Sequence, residues 1–194
     1  PEYLILMRDT MLHRGPDDSG EWHSSDFRVA LAQCRLSILD LSLGGHQPME
    51  DNTGRYIIIF NGEIYNYLEL RDELSKSGHS FRSNSDTEVL LEAYKEWDKN
   101  CLSHLNGAFS FAIYDKTAKT LFLARDRAGE KPLFYKQFND TFIFASELKA
   151  LMAYPEFSRK LNLDALDYYL AYGYVSGEQC IIKDTHKLPP AHAM

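Results

Sequence analysis

Tyr56–Phe60, read as Tyr-Ile-Ile-Ile-Phe, is an unbroken apolar run with β-branched residues at its centre. Such a run has no polar face to turn to water, so it predicts a strand covered on both faces. The stretch from Ala108 to Ala145 adds more strands. Phe109, Phe111 and Ile113 alternate with small residues, and the run turns over through Lys116–Lys119 into Leu121–Arg125. A second hairpin joins Leu133–Gln137 to Thr141–Ala145 through Asn139-Asp140. Arg28–Leu36 reads as a further strand. Strands that come as hairpins, and do not alternate singly with helices, favour antiparallel sheets with helices on their outer faces.

Helical spacing occupies the remaining stretches. Leu4, Met7 and Met11 recur in Tyr3–Leu12 before Gly15-Pro16 stops the pattern. Asn66 is placed to cap a helix presenting Tyr67, Leu70 and Leu74, which Gly78 ends. Ser85 and Glu88 form a capping box for another, with Leu90, Tyr94 and Trp97 on its buried face. Short helices are expected at Glu147–Met152 and Leu163–Tyr172. Leu43-Gly44-Gly45-His46-Gln47-Pro48 breaks regular structure.

The 194 residues suggest one domain with a fragment of a second. A net charge of −7 without a polybasic run argues against nucleic acid and against an anionic membrane surface. Apolar runs no longer than Tyr56–Phe60 fall far short of the ~20 residues needed to span a bilayer. Cys34, Cys101 and Cys180 are widely spaced and odd in number, which predicts no disulfide framework and a reducing, cytoplasmic setting. The seven histidines show no metal-ligand spacing, and no phosphate-binding glycine loop or GxSxG elbow occurs. Pro1 opens the chain inside a helical pattern and is read as a truncation point, not as an N-terminal proline base.

Four segments carry chemistry. His13-Arg14-Gly15-Pro16-Asp17-Asp18-Ser19-Gly20 is either a helix-ending turn or part of a site. Arg35-Leu36-Ser37-Ile38-Leu39-Asp40 brings a lone arginine into apolar surroundings, where its guanidinium needs a protein carboxylate or a ligand carboxylate. Asn61-Gly62-Glu63 follows the apolar strand directly. Its Asn-Gly pair is a hairpin-turn signal, or else an amide and a backbone N–H converging on a developing oxyanion, worth ~3–4 kcal/mol per donor. Asp86 opens a helix, where the dipole favours it or where it holds a substrate ammonium. An arginine for a carboxylate, an aspartate for an ammonium and an oxyanion pair together fit an α-amino acid with a reactive side-chain carbonyl, glutamine being the obvious candidate.

In order and spacing, HRGPDDSG, RLSILD, FNGEIYN, SDTE, LNGAFSFAIYD, LARDRAGEKPLFY and FASELKAL resemble the glutaminase domain of glutamine-hydrolysing asparagine synthetase. That family is a class II glutamine amidotransferase with the N-terminal-nucleophile hydrolase fold. The resemblance implies an α+β, four-layer αββα sandwich of antiparallel sheets. It implies that Arg35 grips the glutamine α-carboxylate and Asp86 the α-amino group. Leu36, Ser37, Ile38, Leu39 and Glu63 would line the pocket, and Asn61 with the Gly62 N–H would form the oxyanion hole. Glutamine is the expected small-molecule partner.

The family's nucleophile is a cysteine at the mature N-terminus, with its own α-amine as base. None of Cys34, Cys101 and Cys180 matches it. The expectation is therefore an amidotransferase domain over residues 1–155 that lacks its first strand and its nucleophile, inactive by itself. Residues 156–194 are expected to connect to an absent synthetase domain. No cofactor is expected in this chain, because ATP and Mg belong to that other domain. The alternative is a non-catalytic amino-acid-binding or structural domain of the same fold. A missing strand would leave an apolar surface beside Tyr56–Phe60, predicting a homodimer, aggregation or an apolar partner.

Overall fold

The apolar run forms β4 (Tyr56–Ile64) in a computed structural model that describes residues 2–40 and 42–194. Pro1 lies outside the described residues. β4 pairs antiparallel with β3 (Met49–Glu50) and β5 (Gly107–Asp115), and β6 (Thr120–Arg125) completes a sheet ordered β3-β4-β5-β6. The period of two along each strand then sorts the side chains. Ile58, Phe60, Phe109, Phe111, Ile113 and Phe122 enter one core, closed by α2 (Tyr67–Lys76) and α3 (Asp86–Trp97) through Leu70, Leu74, Leu90 and Tyr94. Ile58, Leu74 and Leu90 are wholly buried, so truncating any of them to alanine costs ~2–5 kcal/mol.

The alternate residues Ile57, Ile59, Ala112, Tyr114, Leu121 and Leu123 face a second core. Two smaller sheets close it. One pairs β1 (Asp18–His23) with β2 (Ala30–Arg35) and contributes Trp22 and Leu31. The other is ordered β8 (Thr141–Ala145), β7 (Phe134–Phe138), β9 (His186–Lys187) and contributes Phe142 and Phe144. The far face of β8, through Ile143 and Ala145, packs on α1 (Glu2–Asp9) and α5 (Leu148–Met152) by way of Met7, Ala150 and Leu151. The result is the four-layer αββα sandwich. α4 (Cys101–His104) follows α3, and α6 (Leu163–Tyr172) follows α5. No described helix is long and apolar enough to cross a membrane.

Three local expectations change. The HRGPDDSG stretch does not stay a turn, because Asp18, Ser19 and Gly20 already lie in β1, paired with Arg35, Cys34 and Gln33. Asn66 precedes α2 but its side chain does not cap it. It bonds instead to the His104 carbonyl and the Asn106 N–H, tying α2 to α4. The capping box at Ser85 is half made. Ser85 Oγ accepts the Glu88 N–H at 3.2 Å, while the Glu88 carboxylate turns to the N–H groups of Arg82 and Ser83.

Among the described residues, β2 and β8 each have a strand neighbour on one side only. Their open edges flank an apolar cavity of about 290 Å³ lined also by Ile59, Phe60 and Phe111. The open edge expected beside Tyr56–Phe60 lies instead on β2 and β8, since β4 is paired with both β3 and β5, and of the run only Ile59 and Phe60 reach the apolar cavity. Residues 156–194 pack back on the sheets: Leu188 is buried in the second core, and the Arg125 N–H donates to the His192 carbonyl at 3.0 Å.

Candidate functional site

The end of β2, the second half of β4 and the first turn of α3 converge on a cavity of about 220 Å³. Arg35, the last residue of β2, is 9% exposed. Its Nη2 donates to the carbonyls of Leu39 (3.0 Å) and Asp40 (2.6 Å), and its Nη1 to that of Ser42 at 3.4 Å. Gly45 lies flat against the guanidinium, where a Cβ would overlap it. Of the two partners open to this arginine from sequence, a protein carboxylate is not found: none among the described residues lies within ion-pair distance. Carbonyl dipoles satisfy its donors, and the Asp40 carboxylate acts on its charge only from beyond ion-pair distance.

Asp86 mirrors this arrangement with opposite sign. It is 6% exposed at the start of α3, and its Oδ2 accepts the Ile64 N–H at 3.0 Å. Burial pushes its carboxyl above the usual range, more than the N–H groups of Ile64 and Thr87 pull it down. Neighbouring Glu63 pushes the same way. No lysine, arginine or histidine among the described residues forms an ion pair with Asp86. Ionised charges left buried without a counter-charge cost several kcal/mol each. The cavity therefore brings together one basic and one acidic side chain, neither of them ion-paired among the described residues.

Asn61-Gly62 is strand, not hairpin turn. Asn61 faces Ser110 and Gly62 faces Phe109 across β4–β5. The Phe109 N–H and carbonyl both turn away from β4, to Asp126. Gly62 thus sits at a position that makes no ladder bonds to β5. On the opposite edge the Phe60 N–H donates to Gln47 Oε1 at 2.6 Å and the Ile64 N–H to Asp86. The Gly62 N–H lies between them, so by the strand period it faces the same edge, and Gly62 lines the cavity. Asn61 also lines it, its Nδ2 donating to Ser146 Oγ at 3.3 Å. One hydrogen of that amide is held by Ser146 and the second is left for another acceptor.

Leu36, Ile38, Leu39 and Glu63 join the lining, whereas Ser37 does not. The Ser37 N–H donates to Asp17 Oδ2 at 2.8 Å. Gln47, Ser146 and Lys131 are lining residues to which the sequence reading gave no role. Gln47 bridges β4 to α3, donating from Nε2 to Thr87 Oγ1 at 3.3 Å, yet in the sequence it sits in a loop that shows only chain-breaking residues. Ser146 and Lys131 lie within FASELKAL and GEKPLFY, which supported the resemblance without a chemical role. Arg14 reaches the rim, tethered to Glu147 at 3.0 Å. Burial raises the Glu147 carboxyl, but its bonds to Arg14, Lys149 and His13 outweigh that and hold it low.

The three cysteines are free and buried. Cys34 lies beside Arg35 in sequence, but its Sγ turns to the Arg8 carbonyl of α1 at 3.4 Å, and burial raises its thiol. Cys101 is wholly buried and pushed up to about 12. A thiol in that state is a poor nucleophile.

The sequence pattern of the glutamine amidotransferase domain matches residues 2–194. Asparagine synthetase [glutamine-hydrolyzing] 3 of Bacillus subtilis (strain 168) is 42% identical over 191 residues, 97% of this chain and 31% of the relative. Asparagine synthetase [glutamine-hydrolyzing] 1 of the same organism is 41% identical over 189 residues, covering 97% of this chain and 29% of its own. The chain thus spans about a third of the length of these relatives. Among solved structures, a glutamine phosphoribosylpyrophosphate amidotransferase from B. subtilis, complexed with ADP and GMP, superposes with a TM-score of 0.55 at 28% identity. That superposition covers 64% of this chain and 29% of the other.

Proposed function

The chain belongs to the glutamine amidotransferase domain family, and on that premise we propose that its cavity holds the zwitterion of glutamine. The observation that carries this reading is the pair of buried charges, Arg35 and Asp86, that meet at one cavity and form no ion pair among the described residues. Arg35 receives the α-carboxylate and Asp86 the α-ammonium. The side-chain carbonyl then lies toward Asn61 Nδ2 and the Gly62 N–H, the donors that would stabilise negative charge as a nucleophile attacks it. Leu36, Ile38 and Leu39 supply apolar contact along the ligand's methylenes, with Glu63 at the wall.

Cys34 borders the cavity, but its Sγ donates to the Arg8 carbonyl of α1 and burial raises its thiol, while Cys101 and Cys180 are buried away from the cavity lining, so we assign the attacking thiol to none of them. These 194 residues on their own are proposed to bind glutamine without hydrolysing it. In the whole protein the same cavity releases ammonia from glutamine for transfer to an acceptor carboxylate, aspartate by default from the relatives' names. ATP and Mg would serve that second reaction elsewhere. Of the other readings, a non-catalytic amino-acid-binding domain shares the first step and differs in the second, whereas a structural domain shares neither.

Glutamine titrated into ¹⁵N-labelled chain should shift the Asn61 and Gly62 amides with a millimolar Kd, a total of only about −4 kcal/mol. One charge-assisted bond contributes ~1.5–3 kcal/mol of such a total, so Arg35→Ala should abolish the response while leaving the circular dichroism folded. Equal responses from wild type and Arg35→Ala, or none from wild type, defeat the assignment. Glutamate release from the isolated chain that an alkylating reagent abolishes would return one of the three thiols to the chemistry.

A further inference from the structure

Arg35 and Asp86 stand on different elements, β2 and α3, yet both must reach groups on the same ligand Cα. Their separation therefore has to be fixed by something other than either strand or helix. The segment after β2 is weakly anchored by apolar burial: Leu36 is 55% exposed, Ile38 65% and Leu43 88%. Polar contacts hold it instead, and four of them meet at Asp40. Its carbonyl accepts Arg35 Nη2 at 2.6 Å. Its Oδ1 accepts the Ser42 N–H at 3.1 Å and the Ser42 hydroxyl, positioning the Ser42 carbonyl that accepts Arg35 Nη1. Its Oδ2 accepts the Asn84 N–H at 2.7 Å, two residues before Asp86.

We propose that Asp40 is a positioning residue that sets the spacing between the carboxylate-binding guanidinium of Arg35 and the ammonium-binding carboxylate of Asp86, so that the site selects α-amino acids over simple carboxylates. The inference rests on the glutamine reading above and deepens it. Asp40 takes αL geometry (φ 51°), which folds its carbonyl back to Arg35 while its carboxylate reaches Asn84. Aspartate tolerates this conformation better than most residues. The Ser42 hydroxyl and then the Asn84 N–H hold the carboxyl below its ordinary range, so the bridge stays ionised at neutral pH. Asp40 spends its carbonyl and both carboxylate oxygens on Arg35, Ser42 and Asn84, so its role is positional. Its effect is that the two charges act on one molecule together.

The test compares L-glutamine with glutaramate, which keeps the carboxylate and the terminal amide but lacks the α-amine. Isothermal titration on wild type should show glutamine binding about tenfold more tightly, equivalent to ~1.4 kcal/mol. In Asp40→Ala that ratio should fall to about unity, while the glutaramate Kd changes less than about threefold. Arg35 would still bind a carboxylate, but the amine would no longer meet Asp86 at the same time. Asp40→Asn keeps the side-chain volume and at most one of the two acceptor roles, so it should lower the ratio in the same direction and remain available if alanine unfolds the chain. A general loss of stability would weaken both ligands equally and leave the ratio standing. An unchanged ratio in the folded variants overturns the role of Asp40 even though glutamine binds. Absence of any glutamine preference in wild type overturns the underlying reading, and the inference with it.

Discussion

Gly62 in β4 runs so close to Ala108 in β5 that a Cβ on the glycine would overlap the Ala108 carbonyl oxygen. Its φ of 153° is one that side chains rarely adopt. The same residue lines the cavity. Gly62→Ala should therefore destabilise the chain by ~2–4 kcal/mol, combining strain with overpacking. Urea denaturation of the variant measures it, and a loss below ~1 kcal/mol would show that β4 and β5 are less tightly apposed.

Asp51 anchors the turn before β4, accepting the N–H groups of Thr53, Arg55 and Tyr56 and pairing with Lys95 at 3.3 Å. Burial pushes its carboxyl up, but these bonds overcome that and hold it at about 2, below the ordinary 3.8. Its folded pKa is depressed, so its contribution is present above the unfolded value and is lost as pH falls from ~4 to ~2. The loss is roughly 2 kcal/mol. Urea midpoints over that window should drop less in Asp51→Asn than in wild type. Parallel curves would count against the assignment.

His79 behaves with the opposite sign. It bridges Glu92 at 2.6 Å and Glu96 at 2.9 Å on α3. Burial lowers its pKa, but the two carboxylates more than reverse that and raise it above 6.5. Stability from its charge is then fully present below the unfolded pKa and fades as pH rises through the raised folded one. His79→Gln should cost ~1.5–3 kcal/mol at pH 6, where charged hydrogen bonds are lost, and progressively less toward pH 9. A gap that stays constant with pH would mean the imidazole is neutral throughout.

Among the described residues, β2 and β8 each leave one edge open over the 290 Å³ apolar cavity. Open edges beside apolar surface recruit further strands. The isolated chain should accordingly associate as its concentration rises, in sedimentation velocity between about 5 and 200 µM. A single monomer peak across that range would show that the edges are shielded.

Much of the fold was legible because it depends on short-range periodicity. The unbroken apolar run Tyr56–Phe60 announced a strand covered on both faces, alternation at Phe109, Phe111 and Ile113 announced its neighbour, and the Ser85 and Gly78 signals bounded helices. Residue types also fixed what chemistry was available, a guanidinium at Arg35 and a carboxylate at Asp86. Whether those charges were already neutralised could not be read from the chain, because an ion pair depends on which distant groups the fold brings within a few ångströms. Tertiary structure alone surrounded Arg35 with carbonyls and left it without an ion-paired carboxylate among the described residues. It drew Asn61-Gly62 into a strand by pairing it with Ser110 and Phe109, overriding a local turn preference. It also set Ser146 against Asn61 from 85 residues away and used Gln47 to join β4 to α3. Local pattern decides which way a residue faces, whereas packing of remote segments decides what it meets there.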